Sequence, residues 1–194
     1  MNKRQQQKRE TREKIRACAK RLFEAQGYDA TTSRQIAHEA KVAIGTLFVH
    51  FPNKSAILAD ILYEDIETVT KHAFATLPTT QATLDQLMYI SRSLYTYYLA
   101  KIELSRTLLQ KSFLQSADVA DYGAQINLFI EAIARLIQAG QAKNDVVATK
   151  DATIMATTFM SAYFFVLMTL MRSKTPNLDA AIVQLRGMTT VILT

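Results

Sequence analysis

Apolar residues along the chain recur at helical spacing almost from end to end. Ile15, Cys18, Ala19, Leu22 and Phe23 form one stripe, and Gly27 follows as a stop. Thr32 and Gln35 have capping-box spacing and open a short helix with Ile36, Ala37 and Ala40 inward. A third short helix runs from about 43 to 50 and is broken by Phe51-Pro52-Asn53. A longer one is predicted over 55–75, with Leu58, Ile61, Leu62 and Val69 on one side. Thr83 and Gln86 repeat the capping-box spacing and open a helix carrying Leu87, Ile90, Leu94, Tyr98 and Leu99. A helix near 103–111 comes next, then a stripe of Tyr122, Ile126, Phe129, Ile130, Ile133 and Ile137 ending at Gly140. An uncharged helix over about 150–172 and a last one beginning at Pro176-Asn177 complete the chain. No run alternates with period two for long enough to make a strand. The expected fold class is all-α, with three helices in an N-terminal head and six in a C-terminal bundle.

Composition fits that pattern. Five Gly and three Pro in 194 residues suit long uninterrupted helices. A single Cys excludes a disulfide framework and a Cys-based zinc cage, and suits a reducing compartment. Cys18 itself falls on the first buried stripe and reads as a small core residue. His38 and His72 stand apart from any Cys, Asp or Glu at ligand spacing, so no metal and no cofactor is expected. No nucleophile elbow, P-loop or GxGxxG motif occurs, so the chain does not read as an enzyme.

Charge changes the picture more. The net charge is +6. Residues 1–54 hold 12 Lys or Arg against 5 Asp or Glu, and residues 55–194 hold 11 against 12. The basic excess therefore sits entirely in the head, which suggests a polyanion as its partner. The domain boundaries expected are 1–54 and 55–194, with a mobile basic arm over 1–9. Met1 to Arg16 has no apolar run of the kind a signal peptide needs. Residues 152–171 carry no charge and are long enough to span a bilayer, but five of the twenty are Thr or Ser, and a polybasic flank is lacking. The central helix of a soluble bundle or of a dimer interface explains the segment better, so no membrane partner is expected.

The informative stretch is Gln35 to Phe51. Two short helices are joined by a turn at Ala40-Lys41-Val42, and the second carries small and polar residues, which reads as a helix-turn-helix. Ala37 is small, so the helices can cross closely. Val42 and Leu47 face inward. Gly45 lets backbone approach DNA, Thr46 offers a hydroxyl, and His50 and Lys54 stand where phosphates would lie.

The segment from Thr11 to Leu58 resembles the DNA-binding domain of TetR-family transcriptional regulators. Leu22-Phe23, Gly27-Tyr28, Thr31-Thr32, Ile36-Ala37, Val42, Gly45-Thr46-Leu47, Phe51 and Lys54 keep the family's order and spacing without a gap. The resemblance implies that Arg34, Ala43, Ile44, Thr46, Phe48 and Val49 face the major groove or its edges. It implies that Thr32, Ser33, His50 and Lys54 hold phosphates. Three positions depart from the family pattern. Lys41 stands where a turn Gly is usual, leaving room for a non-Gly turn conformation and an added phosphate contact. Ala43 replaces a capping Ser or Thr, so that cap is weak. Phe48 replaces a Tyr, removing a hydroxyl. Readout would then lean on thymine methyl contacts and on Arg34.

The remainder is nearly neutral and rich in aromatics and Met. Tyr89, Tyr95, Tyr98, Phe113, Phe129, Phe159 and Tyr163 are candidates to line a ligand pocket that the family resemblance implies, although each alone reads more readily as core. Scarcity of charge points to a lipophilic effector. The last two helices have more apolar surface than one small domain can hide. Phe164, Met168, Leu178, Ile182, Leu185 and Met188 are therefore candidates for a homodimer interface. A dimer would present two reading helices to a palindromic operator in double-stranded DNA. The whole implies a cytoplasmic, ligand-released regulator, most simply a repressor, associated with the nucleoid when bound. The rival reading is a helical protein-binding or membrane-associated module that uses 152–171 as its anchor or interface.

Overall fold

The computed structural model describes residues 2–114 and 120–194, with side chains given outside 111–124. Among these residues there are nine helices and no strand. They fall into two compact units, one of residues 2–65 with 103–114 and the other of residues 66–102 with 120–194.

The first unit begins with α1 (Lys3–Gln26), followed by α2 (Ser33–Glu39), α3 (Ile44–His50) and the first part of α4 (Lys54–Ala75). α6 (Ile102–Leu114) also falls in this unit from Glu103 onward. Ile15, Ala19, Ile36, Ala40, Leu47 and Phe51 are buried together with Ile57 and Leu58 from α4. Residues 3–9 of the expected arm form the first turns of α1. Residues 3–9 contain no Gly or Pro and are built of strong helix formers, Lys, Arg and Gln. The Asn2 side chain caps them by accepting from the Arg4 amide. Gly27, at φ 85°, closes α1 through its N–H to the Phe23 carbonyl.

The second unit holds the rest of α4, then α5 (Thr83–Ala100), α7 (Ala120–Ala142), α8 (Ala152–Arg172) and α9 (Leu178–Leu193). α8 is the central helix. It packs against α7 and α9, and α5 lies against all three. α8 is long and apolar enough to cross a membrane by length and composition, yet 56% of its most apolar window is buried inside the protein. Its inward side is Met155, Phe159, Tyr163, Val166, Leu167 and Leu170. Asp151 and Asn177 cap α8 and α9 through the amides of Ile154 and Ala180.

α5 starts differently from the sequence expectation. Thr83 is its first residue and not its cap, and the cap position, Ala82, has no side-chain acceptor. The Thr83 amide instead donates to the Asp145 carboxylate from the turn after α7. Gln86 does not close a box either, because its side-chain Nε2 donates to the Pro78 and Gln81 carbonyls. Thr83 also sets a steric limit: a Cβ at Gly140 would collide with its Oγ1, so the close approach of α7 and α5 depends on that glycine.

Candidate nucleic-acid interface and ligand cavity

In the first unit, α2 is held at its start by a complete capping box. Thr32 Oγ1 accepts from the Gln35 amide at 3.1 Å, and the Gln35 side chain accepts from the Thr32 amide at 2.8 Å. The turn that follows is tight. The Ala40 amide donates to Ile36, Lys41 to His38 and Val42 to Ala37. Lys41 itself takes the left-handed conformation, φ 53°, in place of the non-Gly turn expected from the sequence. A left-handed residue is needed to bring Val42 back to the Ala37 carbonyl, and Lys bears the steric cost that a glycine would avoid.

α3 has only seven residues and no side-chain cap at Ala43. So short a helix is marginal alone. Leu47, fully buried, and Phe51, 1% exposed, fix it to the unit. That anchoring turns the other face outward: Ile44, Phe48 and Val49 are 39%, 48% and 74% exposed. Ala43 and Gly45 are exposed beside them, and Thr46 is half-buried. Nothing lies within 4 Å of where a Gly45 Cβ would stand. Three large apolar side chains in water around a glycine form a surface for which the unit itself has no use.

The polar residues around α3 divide into two groups. Thr32, Arg34 and Lys41 are exposed and Ser33 is half-buried. His50 and Lys54 are committed to the unit. Lys54 Nζ donates to the carbonyls of Tyr28 and Thr31, both at 2.7 Å, and lies 4.1 Å from the centre of the Tyr28 ring. Those contacts use two of its three donors to tie the α1–α2 connection to the start of α4. The His50 carbonyl accepts from Arg12, and its Nδ1 is buried without a hydrogen-bond partner. Burial, then the charges of Arg12 and Lys8, lower its proton affinity.

In the second unit there is a cavity of about 390 Å³. Phe74, Tyr98, Phe129, Met160 and Tyr163 supply its apolar wall, and Glu67 and Lys71, an ion pair at 2.6 Å, stand at its α4 side. Of the sequence candidates, Tyr98, Phe129 and Tyr163 line it. Tyr95 does not: it is fully buried, stacks on Tyr163 at 4.9 Å and donates its hydroxyl to the Tyr163 carbonyl. Phe159 is likewise closed in the core, and the Tyr89 hydroxyl pairs with Thr76. The Phe113 side chain lies outside the described residues. Sequence reasoning missed the α4 contribution, Ile66, Glu67, Thr70, Lys71 and Phe74, whose steps of one, three, one and three mark one helix face.

The candidates for an interface on α8 and α9 also separate. Ile182 and Leu185 are 7% and 0% exposed inside the unit. Phe164, Met168 and Leu178 are half-buried, and Met188 is exposed. The exposed apolar residues of these helices are Ile154, Phe165, Val183, Met188 and Val191. No group of three His, Cys, Asp or Glu able to hold a metal is found among the described residues.

Residues 15–61 match the family model described as bacterial regulatory proteins, tetR family. HbdR, an HTH-type transcriptional regulator of Aromatoleum sp. (strain CIB), is 42% identical over 59 residues, which is 30% of this chain and 26% of that protein. YuxN, an uncharacterised HTH-type transcriptional regulator of Bacillus subtilis (strain 168), is 39% identical over 44 residues, 23% of this chain and 15% of that one. The chain thus covers about a quarter or less of either relative. Among solved structures, the Thermus thermophilus FadR, a TetR family transcriptional repressor in complex with lauroyl-CoA, matches with a TM-score of 0.76 at 21% identity over 94% of this chain and 93% of that one. A TetR-family regulator from Pectobacterium atrosepticum matches with a TM-score of 0.74 at 17% identity over 100% and 96%. At such identities these two show a shared fold. The head of the chain, residues 15–61, is thus a helix-turn-helix of the kind found in the tetR family of bacterial regulatory proteins.

Proposed function

We propose that the protein is a cytoplasmic, one-component transcriptional regulator that binds a palindromic operator as a homodimer and leaves it when a lipophilic molecule fills the cavity of the second unit. The observation that carries this reading is the outward face of α3, where Ile44, Phe48 and Val49 are held in water around Gly45 by a helix whose opposite side is buried through Leu47 and Phe51. In a major groove those side chains meet thymine methyl groups, Arg34 reaches guanine or phosphate, and Thr32, Ser33, Lys41 and Thr46 supply donors to the backbone.

The dimer reading rests on the exposed stripe of α8 and α9. Ile154 and Phe165 on one helix, with Val183, Met188 and Val191 on the other, make an apolar face on a pair of helices otherwise well buried. Gly187 lies within that face with open space around it, so a partner helix can approach closely. A second copy offering the same face gives a four-helix seam and two reading helices related by a two-fold axis. The central helix α8 is largely covered inside the protein, which favours this reading over a membrane anchor.

The ligand reading rests on the cavity, whose wall is aromatic and aliphatic with its charges confined to Glu67 and Lys71. The lauroyl-CoA bound by the Thermus thermophilus relative makes an acyl thioester the first effector to test. The ligand acts by binding two conformations unequally, and repression follows if the DNA-binding one is favoured without it. Fluorescence anisotropy of the purified protein on its own upstream DNA, with and without lauroyl-CoA, tests the proposal. Ala132 lines the cavity from α7; binding that acyl-CoA reverses, and that a cavity-filling Ala132→Phe makes insensitive to acyl-CoA, supports it. Absence of duplex binding refutes the DNA reading, and binding indifferent to acyl-CoA and to other lipophilic molecules refutes the effector reading.

A further inference from the structure

α1 begins twelve residues before the stretch that the family model covers, and those added turns are not neutral in charge. At 100° per residue, Arg4, Lys8 and Arg12 fall within about 80° of one another on the helix. Gln6, Glu10 and Glu13 lie on the opposite side, where Gln6 bonds Glu10 and Arg9 pairs with Glu13. The acids of this segment are therefore turned away from its cationic row. Arg4 and Lys8 are exposed and form no ion pair among the described residues.

Arg12 fixes where that row leads. Its guanidinium donates to the His50 carbonyl at 2.9 Å, pairs with Asp60, and stacks 4.2 Å from the Phe51 ring centre. The cationic face of α1 thus runs up to the C-terminal end of α3. Lys8, one turn before Arg12, is close enough to act electrostatically on His50. From Lys8 to Arg4 the helix advances about 6 Å, the scale of a step between neighbouring phosphates.

We infer that the first turns of α1 are a second DNA-contacting element, in which Arg4 and Lys8 hold backbone phosphates beside the groove that α3 enters. The inference rests on the DNA-binding reading above and adds a contact outside the helix-turn-helix. Two exposed cations in line with the reading helix, with the local carboxylates facing away, suit a polyanion of regular spacing. Because Arg4 and Lys8 touch no base edge in this arrangement, they add affinity for every sequence alike.

The test compares the full chain with Arg4→Ala/Lys8→Ala, and with Lys143→Ala/Lys150→Ala as a control in the second unit. Binding to a random-sequence DNA duplex is measured across a series of salt concentrations. Alanine is a strong helix former, and circular dichroism checks that α1 persists. The expected result is that the slope of log K against log salt becomes shallower by about 1.8 for each protomer engaged, about 0.9 for each cation removed, with the control unchanged. The same loss should appear on any duplex. If the unaltered chain binds no duplex at any salt, the underlying reading fails. If it binds and the Arg4/Lys8 variant has its slope, the first turns of α1 make no phosphate contact and this inference alone fails. A variant that keeps its duplex slope but loses binding to phosphatidylglycerol vesicles would assign the cations to a membrane surface and overturn the inference.

Discussion

Arg12 and His50, thirty-eight residues apart, are joined by a single hydrogen bond that finishes α3: Arg12 Nη1 donates to the His50 carbonyl at 2.9 Å. The same guanidinium pairs with Asp60 on α4, and Arg16 and Lys20, one and two turns further along α1, pair with Glu64 and Asp65. A row of cations spaced by four on α1 thus meets carboxylates on α4, and Arg12 alone also reaches the reading helix. Arg12→Ala leaves the half-buried Asp60 short of a partner and the last carbonyl of α3 open. A loss of about 1–3 kcal/mol is expected in urea unfolding. Arg12→Lys should recover only part of it, because an ammonium cannot make both contacts in one plane and stack on Phe51.

Lys54 and Arg34 should respond oppositely when removed. Lys54 is engaged by two carbonyls, so Lys54→Ala is expected to lower stability by about 1.5–3 kcal/mol. Among molecules that stay folded, the salt slope of DNA binding should hardly change. Arg34 is exposed on α2, so Arg34→Ala should leave unfolding unaltered, cost about 1–3 kcal/mol in operator binding and relax sequence preference. Paired unfolding and anisotropy measurements separate the two. Equal effects on both observables for both variants would count against the division.

Lys41 holds a left-handed turn that glycine would adopt without strain. Relief of that strain, about 1–2 kcal/mol, is set against the greater freedom of glycine in the unfolded chain, about 0.4–1 kcal/mol. Lys41→Gly is expected to stabilise the protein by about 0.5–1 kcal/mol while making the salt slope of DNA binding shallower by about 0.9. Thermal unfolding and salt titration together check it, and a destabilised variant would show that Lys41 makes contacts worth more than the strain.

Asp145 supplies the acceptor that α5 lacks at Ala82. Hydrogen bonds from the Thr83 side chain, then from its amide, hold the Asp145 carboxyl below its ordinary value. A carboxylate with a lowered folded-state pKa contributes stability above its unfolded value and loses it as pH falls through the folded one. The melting temperature of the wild type should therefore exceed that of Asp145→Ala near neutral pH, and the gap should close as pH falls from about 5 toward 3. A gap that stays constant down to pH 3 would remove the capping role.

How far the sequence could be read depended on how local each determinant is. The helices, the Thr32–Gln35 box and the missing cap at Ala43 are set by residues within a turn or two of each other, and spacing alone exposes them. The outward face of α3 was legible because Leu47 and Phe51 define the inward one. Lys54 was harder to place: its partners are main-chain carbonyls, which any residue can offer, 26 and 23 positions away. The same holds for Thr83, whose capping-box spacing with Gln86 is real but whose amide is taken by Asp145, 62 residues on. In the second unit every aromatic at helical spacing is apolar enough for core or cavity. Only three-dimensional packing sends Tyr95 inward to the Tyr163 carbonyl and leaves Tyr98 at a void. Ile182 and Leu185 against Val183 and Met188 is the same problem, since an apolar stripe wider than one face does not say which edge stays uncovered.

The central claim is that two α3 faces, held by one dimer, read DNA by sequence. Selection of bound duplexes from a random library with the purified full chain tests it most directly. The expected product is an inverted repeat whose half-sites lie about 10 base pairs apart or a multiple of that, rich in thymine where Ile44, Phe48 and Val49 would lie and lost in a Phe48→Asp variant. Recovery of duplexes with no common sequence, or of a single unrepeated site bound equally well by that variant, would contradict it.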